Sequence, residues 1–159
     1  MLSPVLNTSA QHTLPVKGLR LYKREKLCSP TAIDRLFIGG RRASTHQDSR
    51  SGDVCAALVY PLKLVWAVRP EGVRPSAPAV QFIISIPKKR IRHAVDRVTL
   101  RRRVREAFRL VRLDFETDYA HPLDIAFIWV ANEKVDSARI QRAVRRLLDR
   151  LPKKDSTAQ

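Results

Sequence analysis

The spacing of apolar residues changes near the middle of the chain, from a period of two to the period of a helix. Residues 81–86 alternate as in a strand: one side should pack against helices, and the more polar side, with Gln81 and Ser85, should stay partly open. Pro87 should end this strand because it lacks a backbone donor. Residues 94–113 then follow a helical pattern whose apolar stripe should bury the helix against the sheet. The stripe consists of Leu100, Val104, Ala107, Phe108 and Val111.

The residue pattern of the N-terminal half predicts a short helix followed by a strand-like segment. Ser29 is suited to cap a helix that has Pro30 in its first position, and Gly39-Gly40 is expected to end that helix. Residues 54–68 are strand-like, and Pro61 within them indicates an edge strand or a bulge. A hairpin linking this segment to the strand at 80–86 is predicted. The apolar face of the first helix consists of Ile33, Leu36 and Phe37.

The C-terminal part adds one strand and one helix. Residues 124–131 are apolar on both faces, which is typical of a central strand buried on both sides. Asp136 or Ser137 can cap the last helix, which Pro152 stops. The order α-β-β-β-α-β-α indicates a small two-layer α/β sandwich. Residues 1–18 are predicted to be a disordered extension, 19–151 a single domain and 152–159 a tail. The buried face of the last helix consists of Ile140, Val144, Leu147, Leu148 and Leu151.

Composition restricts the kind of partner. The formal net charge is +16 with a pI near 11.0, and 44% of residues are hydrophobic. Such a chain can build a core and is suited to a nucleic acid, or less often to an anionic membrane surface. Apolar runs are far shorter than a membrane span requires, and the N-terminus lacks a secretory signal pattern. Cys28 and Cys55 are too few for a disulfide or zinc framework. The expected location is the cytoplasm, and no membrane partner is expected.

The charge is concentrated in residues 81–112, which contain eleven Lys or Arg against the two acids Asp96 and Glu106. Arg97, Arg101 and Arg105 follow one another at four-residue intervals and would form a ridge on the helix. Like charges at that spacing destabilise an isolated helix slightly, so a polyanion is expected to supply the counter-charge. Arg102, Arg109 and Arg112 should lie beside the ridge. The ridge by itself does not distinguish RNA from DNA.

Candidate catalytic groups are scattered. The four histidines, His12, His46, His93 and His121, have no metal-ligand spacing. Three acids of one connection, Asp114, Glu116 and Asp118, are interpreted as local charge balance rather than as a two-metal nuclease site. No Gly-rich loop that could cradle phosphates is present. These patterns are consistent with a chain that has no active site of its own.

Several short motifs occur in a specific order over residues 19–151. They are Leu27-Cys28-Ser29, Ile33-Asp34-Arg35-Leu36-Phe37 with Gly40, Tyr60-Pro61-Leu62-Lys63, Ser85-Ile86-Pro87-Lys88-Lys89, Ala94-Val95-Asp96-Arg97, Arg101-Arg102 with Arg105-Glu106-Ala107-Phe108-Arg109, and Asp124-Ile125-Ala126-Phe127-Ile128. This ordered set resembles the protein subunit of bacterial ribonuclease P, the ribonucleoprotein that removes 5′ leaders from precursor tRNA. The resemblance is to Bacteroidetes-type members. Val98 and Thr99 stand where the family usually has Asn and Arg, so the metal-proximal role of that Asn is not carried over.

The resemblance implies a left-handed strand-helix-strand crossover in the sheet and two RNA-contacting surfaces. The first would bind the catalytic RNA, and the second would be a cleft between the first helix and the sheet that holds the single-stranded leader. The RNA-binding residues implied are Lys88, Lys89, Arg90, Arg92, Arg97, Arg101, Arg102, Arg105 and Arg109. The leader-cleft residues are Phe37 and Ile33 by match, and Lys63, Ser85 and Gln81 by strand alternation. Tyr60 and Trp66 are expected to be packing residues.

The resemblance also assigns the chemistry. Hydrolysis would be carried out by the RNA subunit with magnesium, and the protein would bind no cofactor of its own. The implied partners are the catalytic RNA and precursor tRNA, without an obligate protein partner. Two alternatives stay open, a structural RNA-binding protein of ribosomal type and a sequence-specific DNA-binding protein. A helix held between two strands is unlike a helix-turn-helix arrangement, which disfavours the second alternative.

Overall fold

The computed structural model describes residues 20–42, 54–115 and 119–153 of the 159-residue chain. The helices in these ranges are α1 (Pro30–Arg42), α2 (Ala94–Val111) and α3 (Ser137–Leu148). The strands are β1 (Val54–Val59), β2 (Leu62–Val68), β3 (Val80–Ser85) and β4 (Leu123–Trp129). This order is the predicted α-β-β-β-α-β-α. The predicted N-terminal extension and nearly all of the tail lie outside the described residues, so the domain limits stay predictions.

The four strands form one sheet in the order β1-β2-β4-β3. β1 and β2 are an antiparallel hairpin with its turn at Tyr60 and Pro61, so Pro61 is in a turn rather than in an edge strand or bulge. The predicted hairpin between 54–68 and 80–86 is wrong, because β4 lies between β2 and β3. β4 pairs antiparallel with β2 and parallel with β3. It is the predicted central strand, buried along nearly its whole length.

Helix α2 connects the parallel neighbours β3 and β4, and together with α3 it covers one face of the sheet. All five residues of the predicted α2 stripe are buried, as are the five predicted for the last helix. Phe108 of α2 inserts between Phe82 and Phe127 of the sheet, with ring centroids 4.7 Å and 5.6 Å away. This main core fixes α2 and leaves its opposite side exposed. The handedness of the crossover stays a prediction.

Helix α1 lies on the other face of the sheet and adds a partial third layer to the predicted sandwich. A second apolar cluster forms there, built from Leu27, Leu36, Val65 and Ala126 among others. α1 packs on β1, β2 and β4 but barely reaches β3. The sheet is therefore less completely covered along β3 on this face.

The pair Gly39-Gly40 does not end α1, contrary to the sequence-based expectation, because the helix continues to Arg42. A Cβ atom on Gly39 would lie 2.6 Å from Val54 Cγ2, and one on Gly40 would lie 2.9 Å from Val65 Cγ2. Both distances are shorter than van der Waals contact. The glycines thus allow the backbone of α1 to approach β1 and β2 closely.

Candidate nucleic-acid interface

The exposed side of α2 is a cationic surface held in place by the buried stripe. Arg101, Arg102 and Arg105 are exposed, and their side chains have no hydrogen-bond or ion-pair partner among the described residues. A guanidinium group presents several planar donors that match phosphate oxygens. These three arginines therefore have their donors available for an external anion.

Arg97 is engaged within the protein. Its Nη1 donates hydrogen bonds to the carbonyl oxygens of Ile91, at 3.0 Å, and Arg92, at 2.7 Å. These bonds connect the start of α2 to the basic connection that precedes it. Arg97 consequently organises that connection in addition to contributing charge.

Arg109 is also partnered, because its Nε donates to Glu106 Oε2 at 2.9 Å. This hydrogen bond holds the pKa of the Glu106 carboxyl below its ordinary range and raises the pKa of the Arg109 guanidinium. Arg109 therefore brings less uncompensated charge to the surface than Arg101, Arg102 or Arg105.

The connection between β3 and α2 presents further cations. Lys88, Lys89 and Arg92 are exposed, whereas Arg90 is half-buried and donates to Asn132 Oδ1 at 2.9 Å. Ile91, only 6% exposed, anchors the connection in the main core. The connection and the exposed side of α2 thus bring the sequence-predicted RNA-binding residues into neighbouring positions.

Arg112 does not belong to this surface, which corrects its predicted place beside the ridge. It is buried and ion-paired with Glu25, and its Nη2 donates to the carbonyl oxygen of Arg20 at 2.9 Å. The pair ties the N-terminal segment to the end of α2. Next in that segment, the Leu27 N–H donates to the Phe82 carbonyl at 2.8 Å, which holds the chain along β3 just before α1 begins.

The second candidate surface lies on the α1 face of the sheet. Lys63 pairs with Ile128 across β2 and β4, and Ser85 pairs with the same Ile128 across β4 and β3. Directly paired residues share a face of the sheet, so these three form one row. All three are partly exposed, as is Ile83 in the next row. The Ser85 end of the row extends beyond the cover of α1, which is where the leader cleft is predicted.

Helix α1, beside this row, carries the other two residues predicted for the leader cleft. Ile33 and Phe37 are half-buried, and Ile33 packs against the second apolar cluster. Lys63 Nζ donates to the Gly40 carbonyl at 2.9 Å, which holds the amine at the helix. The predicted leader-cleft residues therefore lie on the face of the sheet opposite α2.

Gln81 differs from the expectation of a partly open polar face. It is only 8% exposed. Its Nε2 donates to the Arg24 carbonyl at 2.7 Å, and its Oε1 accepts from Arg74. Arg74 also pairs with the buried carboxylate of Asp124, which Arg69 contacts at 3.1 Å. Gln81 thus belongs to a buried hydrogen-bond network, whereas Ser85 remains partly exposed.

Acidic side chains do not assemble a metal site in the described part of the chain. No three His, Cys, Asp or Glu side chains in it come close enough together to hold an ion. Asp114 pairs with Arg145 at 2.7 Å, in line with its predicted charge-balancing role, and Asp96 pairs with Lys134 at 3.1 Å. Glu116 and Asp118 lie outside the described residues.

None of the helices in the described ranges is long and apolar enough to cross a bilayer. One face of this small α/β fold presents the exposed arginines of α2, and the other presents the partly exposed row of Lys63, Ile128 and Ser85. Together they define a basic α/β protein whose surface is suited to the backbone of a nucleic acid. A sequence profile of the ribonuclease P family matches residues 58–152. The chain belongs to this family.

Individual relatives agree with the profile. The ribonuclease P protein components of two Porphyromonas gingivalis strains are 35% and 34% identical to the chain over 106 residues, which span 63% of this chain and 73% of each relative. The solved structure of the Staphylococcus aureus RNase P protein shares the fold, with a TM-score of 0.53 at 15% identity, and the match covers 79% of this chain and 93% of that chain. The family assignment favours the ribonuclease P hypothesis over the ribosomal-type and DNA-binding alternatives.

Proposed function

We propose that this chain binds the catalytic RNA of ribonuclease P through α2 and the connection before it, and holds the 5′ leader of precursor tRNA in the cleft beside α1. The observation that carries the proposal is the exposure of Arg101, Arg102 and Arg105 on a helix fixed by a buried stripe, with no partner for these guanidinium groups among the described residues. An RNA backbone supplies the counter-charge that the described part of the protein does not.

The cleft suits a single strand by its composition. Phe37 and Ile33 offer apolar surface for bases, and Lys63 and Ser85 offer donors for phosphate or base edges. Stacking of a base on an aromatic ring contributes about 1–3 kcal/mol. The amine of Lys63 is already positioned by α1, so binding would order few additional side chains there.

The protein would act by binding and positioning. Hydrolysis would belong to the RNA subunit, with magnesium supplied through that RNA. Binding of the leader would give the complex a higher affinity for precursor tRNA than for mature tRNA, because mature tRNA lacks the segment that the cleft binds. Binding of the RNA by the arginines would lower its demand for divalent ions, since both neutralise phosphate charge.

Reconstitution tests this function. The full-length chain and the ribonuclease P RNA of the same genome are combined with precursor tRNA at a low magnesium concentration at which the RNA alone is inactive. We expect leader cleavage only when both components are present. Lack of stimulation by the protein, with the RNA shown to be active at high magnesium, would refute the proposal.

A further inference from the structure

Helix α3 carries a second set of arginines that the proposed function does not use. Its twelve residues contain four arginines and no acid, and Arg150 lies two residues after its end. Of the acids that flank the helix, Asp136 caps its start and Asp149 pairs with Lys153. One flank of the helix, with spacings of three, four and four residues, forms an arginine stripe of exposed side chains. The stripe consists of Arg139, Arg142, Arg146 and Arg150.

The stripe is largely uncompensated. The side chains of Arg142, Arg146 and Arg150 have no ion-pair or hydrogen-bond partner within the described part of the chain. The Arg139 guanidinium lies over the Tyr60 ring at 4.7 Å from its centroid. Tyr60 is 42% exposed rather than packed as expected, and its hydroxyl donates to Glu133 at 3.2 Å.

Folding alone does not account for this arrangement. Like charges three and four residues apart repel along a helix. The helix dipole favours cations near the C-terminus, which explains Arg146, but it disfavours Arg139 in the first turn. A solvated helix face usually mixes both signs of charge. Since both the repulsion between the arginines and the helix dipole at Arg139 are unfavourable for folding, the presence of these arginines indicates an anionic ligand.

The stripe is separate from the arginines of α2. On α3, Arg145 points from a different flank and pairs with Asp114 just after α2. Arg139 instead contacts Tyr60 at the β1–β2 turn, and α3 packs on β1 and β2 whereas α2 packs on β3. The two arginine surfaces thus lie over opposite edges of the same sheet.

We infer that the stripe Arg139, Arg142, Arg146 and Arg150 binds phosphates of a second segment of the catalytic RNA, apart from the segment bound by α2. This inference rests on the proposed function. The occupant is RNA because the helical layer that carries the stripe also presents the α2 arginines to that ligand, and guanidinium groups match phosphate oxygens. One protein would then hold two RNA segments at a set separation.

The test compares two double variants of the full-length chain in binding to the ribonuclease P RNA of the same genome at increasing salt. The first is Arg142→Gln with Arg146→Gln, which preserves helix propensity. The matched control is Arg145→Gln with Lys153→Gln, which removes two cations of the same region that are paired with carboxylates. Hydroxyl-radical footprinting of the RNA is recorded with each variant and with Arg101→Gln/Arg105→Gln.

We expect the stripe variant to lower the slope of log K against log salt by about 1.4–1.8, at about 0.7–0.9 per phosphate contact, and the control to leave it unchanged. Nucleotides that lose protection should differ from those lost with the α2 variant. An unchanged slope for the stripe variant, or an equal fall for the control, would overturn the inference. If the α2 variant weakens binding and the stripe variant does not, the proposed function stands without the second surface. If the unsubstituted protein does not bind this RNA, both are overturned.

Discussion

Arg112, at the end of α2, forms a buried ion pair with Glu25, 87 residues earlier in the chain. The side chains are 7% and 10% exposed, and Glu25 also accepts a hydrogen bond from the Tyr22 N–H. The pair holds the N-terminal segment against the main core, directly before α1. It therefore links the elements that carry the two candidate RNA surfaces, because it joins the segment before α1 to the end of α2.

Replacing Arg112 by Ala is expected to destabilise the fold. The change leaves the Glu25 carboxylate buried without its counter-charge, and breaking a buried pair in this way costs about 3–5 kcal/mol. Urea unfolding measures the loss. Arg105→Ala, at an exposed position of the same helix, should change stability by less than about 0.5 kcal/mol. Equal stabilities of the two variants would show that the pair does not support the fold.

Replacing Arg101 and Arg105 by Ala should weaken binding to the catalytic RNA. The salt slope is expected to fall by about 1–2 units, at about 0.7–0.9 per phosphate contact. Binding titrations at several salt concentrations measure it. Lys134→Ala, which removes an exposed but paired cation, is the control. A slope equal to that of the unsubstituted protein would mean that these arginines do not touch phosphate.

Replacing Phe37 by Ala tests the cleft. The loss of one stacking surface should weaken binding of precursor tRNA by about 1–3 kcal/mol, without affecting mature tRNA, which has no leader. Affinities of the reconstituted complex for both RNAs provide the measurement. Ile38→Ala is the control, because Ile38 is the next residue of α1 and is 52% exposed. Equal losses for precursor and mature tRNA would exclude Phe37 from the leader cleft.

Gly39→Ala should destabilise the protein through overpacking. The added Cβ would meet three Val54 atoms at 2.6–3.0 Å. Overpacking costs about 1–3 kcal/mol, against a gain of about 1 kcal/mol in helix propensity. A double-mutant cycle with Val54→Ala, followed by urea unfolding, isolates the contact. The double variant should be more stable than the sum of the single effects predicts, and strict additivity would argue against the clash.

The Glu106–Arg109 pair predicts a small dependence of stability on pH. The hydrogen bond from Arg109 lowers the pKa of Glu106 in the folded state, so the pair stabilises the fold above the ordinary carboxyl range. That contribution is lost as pH falls through the lowered pKa. Glu106→Gln should therefore be slightly less stable than the unsubstituted protein at neutral pH and equal to it at strongly acid pH, as measured by urea midpoints.

The control for this effect is Asp34→Asn, at an exposed carboxyl without a partner among the described residues. Its stability relative to the unsubstituted protein should vary less with pH. A difference for Glu106→Gln that stays constant down to acid pH would contradict the role of the pair.

Much of the secondary structure could be predicted from local patterns in the sequence. The α2 stripe, the α3 face and the doubly buried β4 are all present as predicted, because each depends on the period of apolar residues within one element. The exposure of arginines on α2 could be predicted from the same pattern, because the apolar residues of the helix face the core and the arginines lie on the other side. The ordered motifs indicated the family that the sequence comparisons then established.

The sequence by itself thus determined where α2, α3 and β4 form, which residues of these elements are buried, and that an anionic partner is expected. Only the tertiary structure decided that β4 separates β2 from β3, that Gly39-Gly40 meets Val54 and Val65, and that Arg112 is buried while the α3 stripe is exposed. The physical reason is distance along the chain. Periodicity reports neighbours within a few residues, whereas these contacts join segments that are far apart in sequence and form only when the whole core assembles.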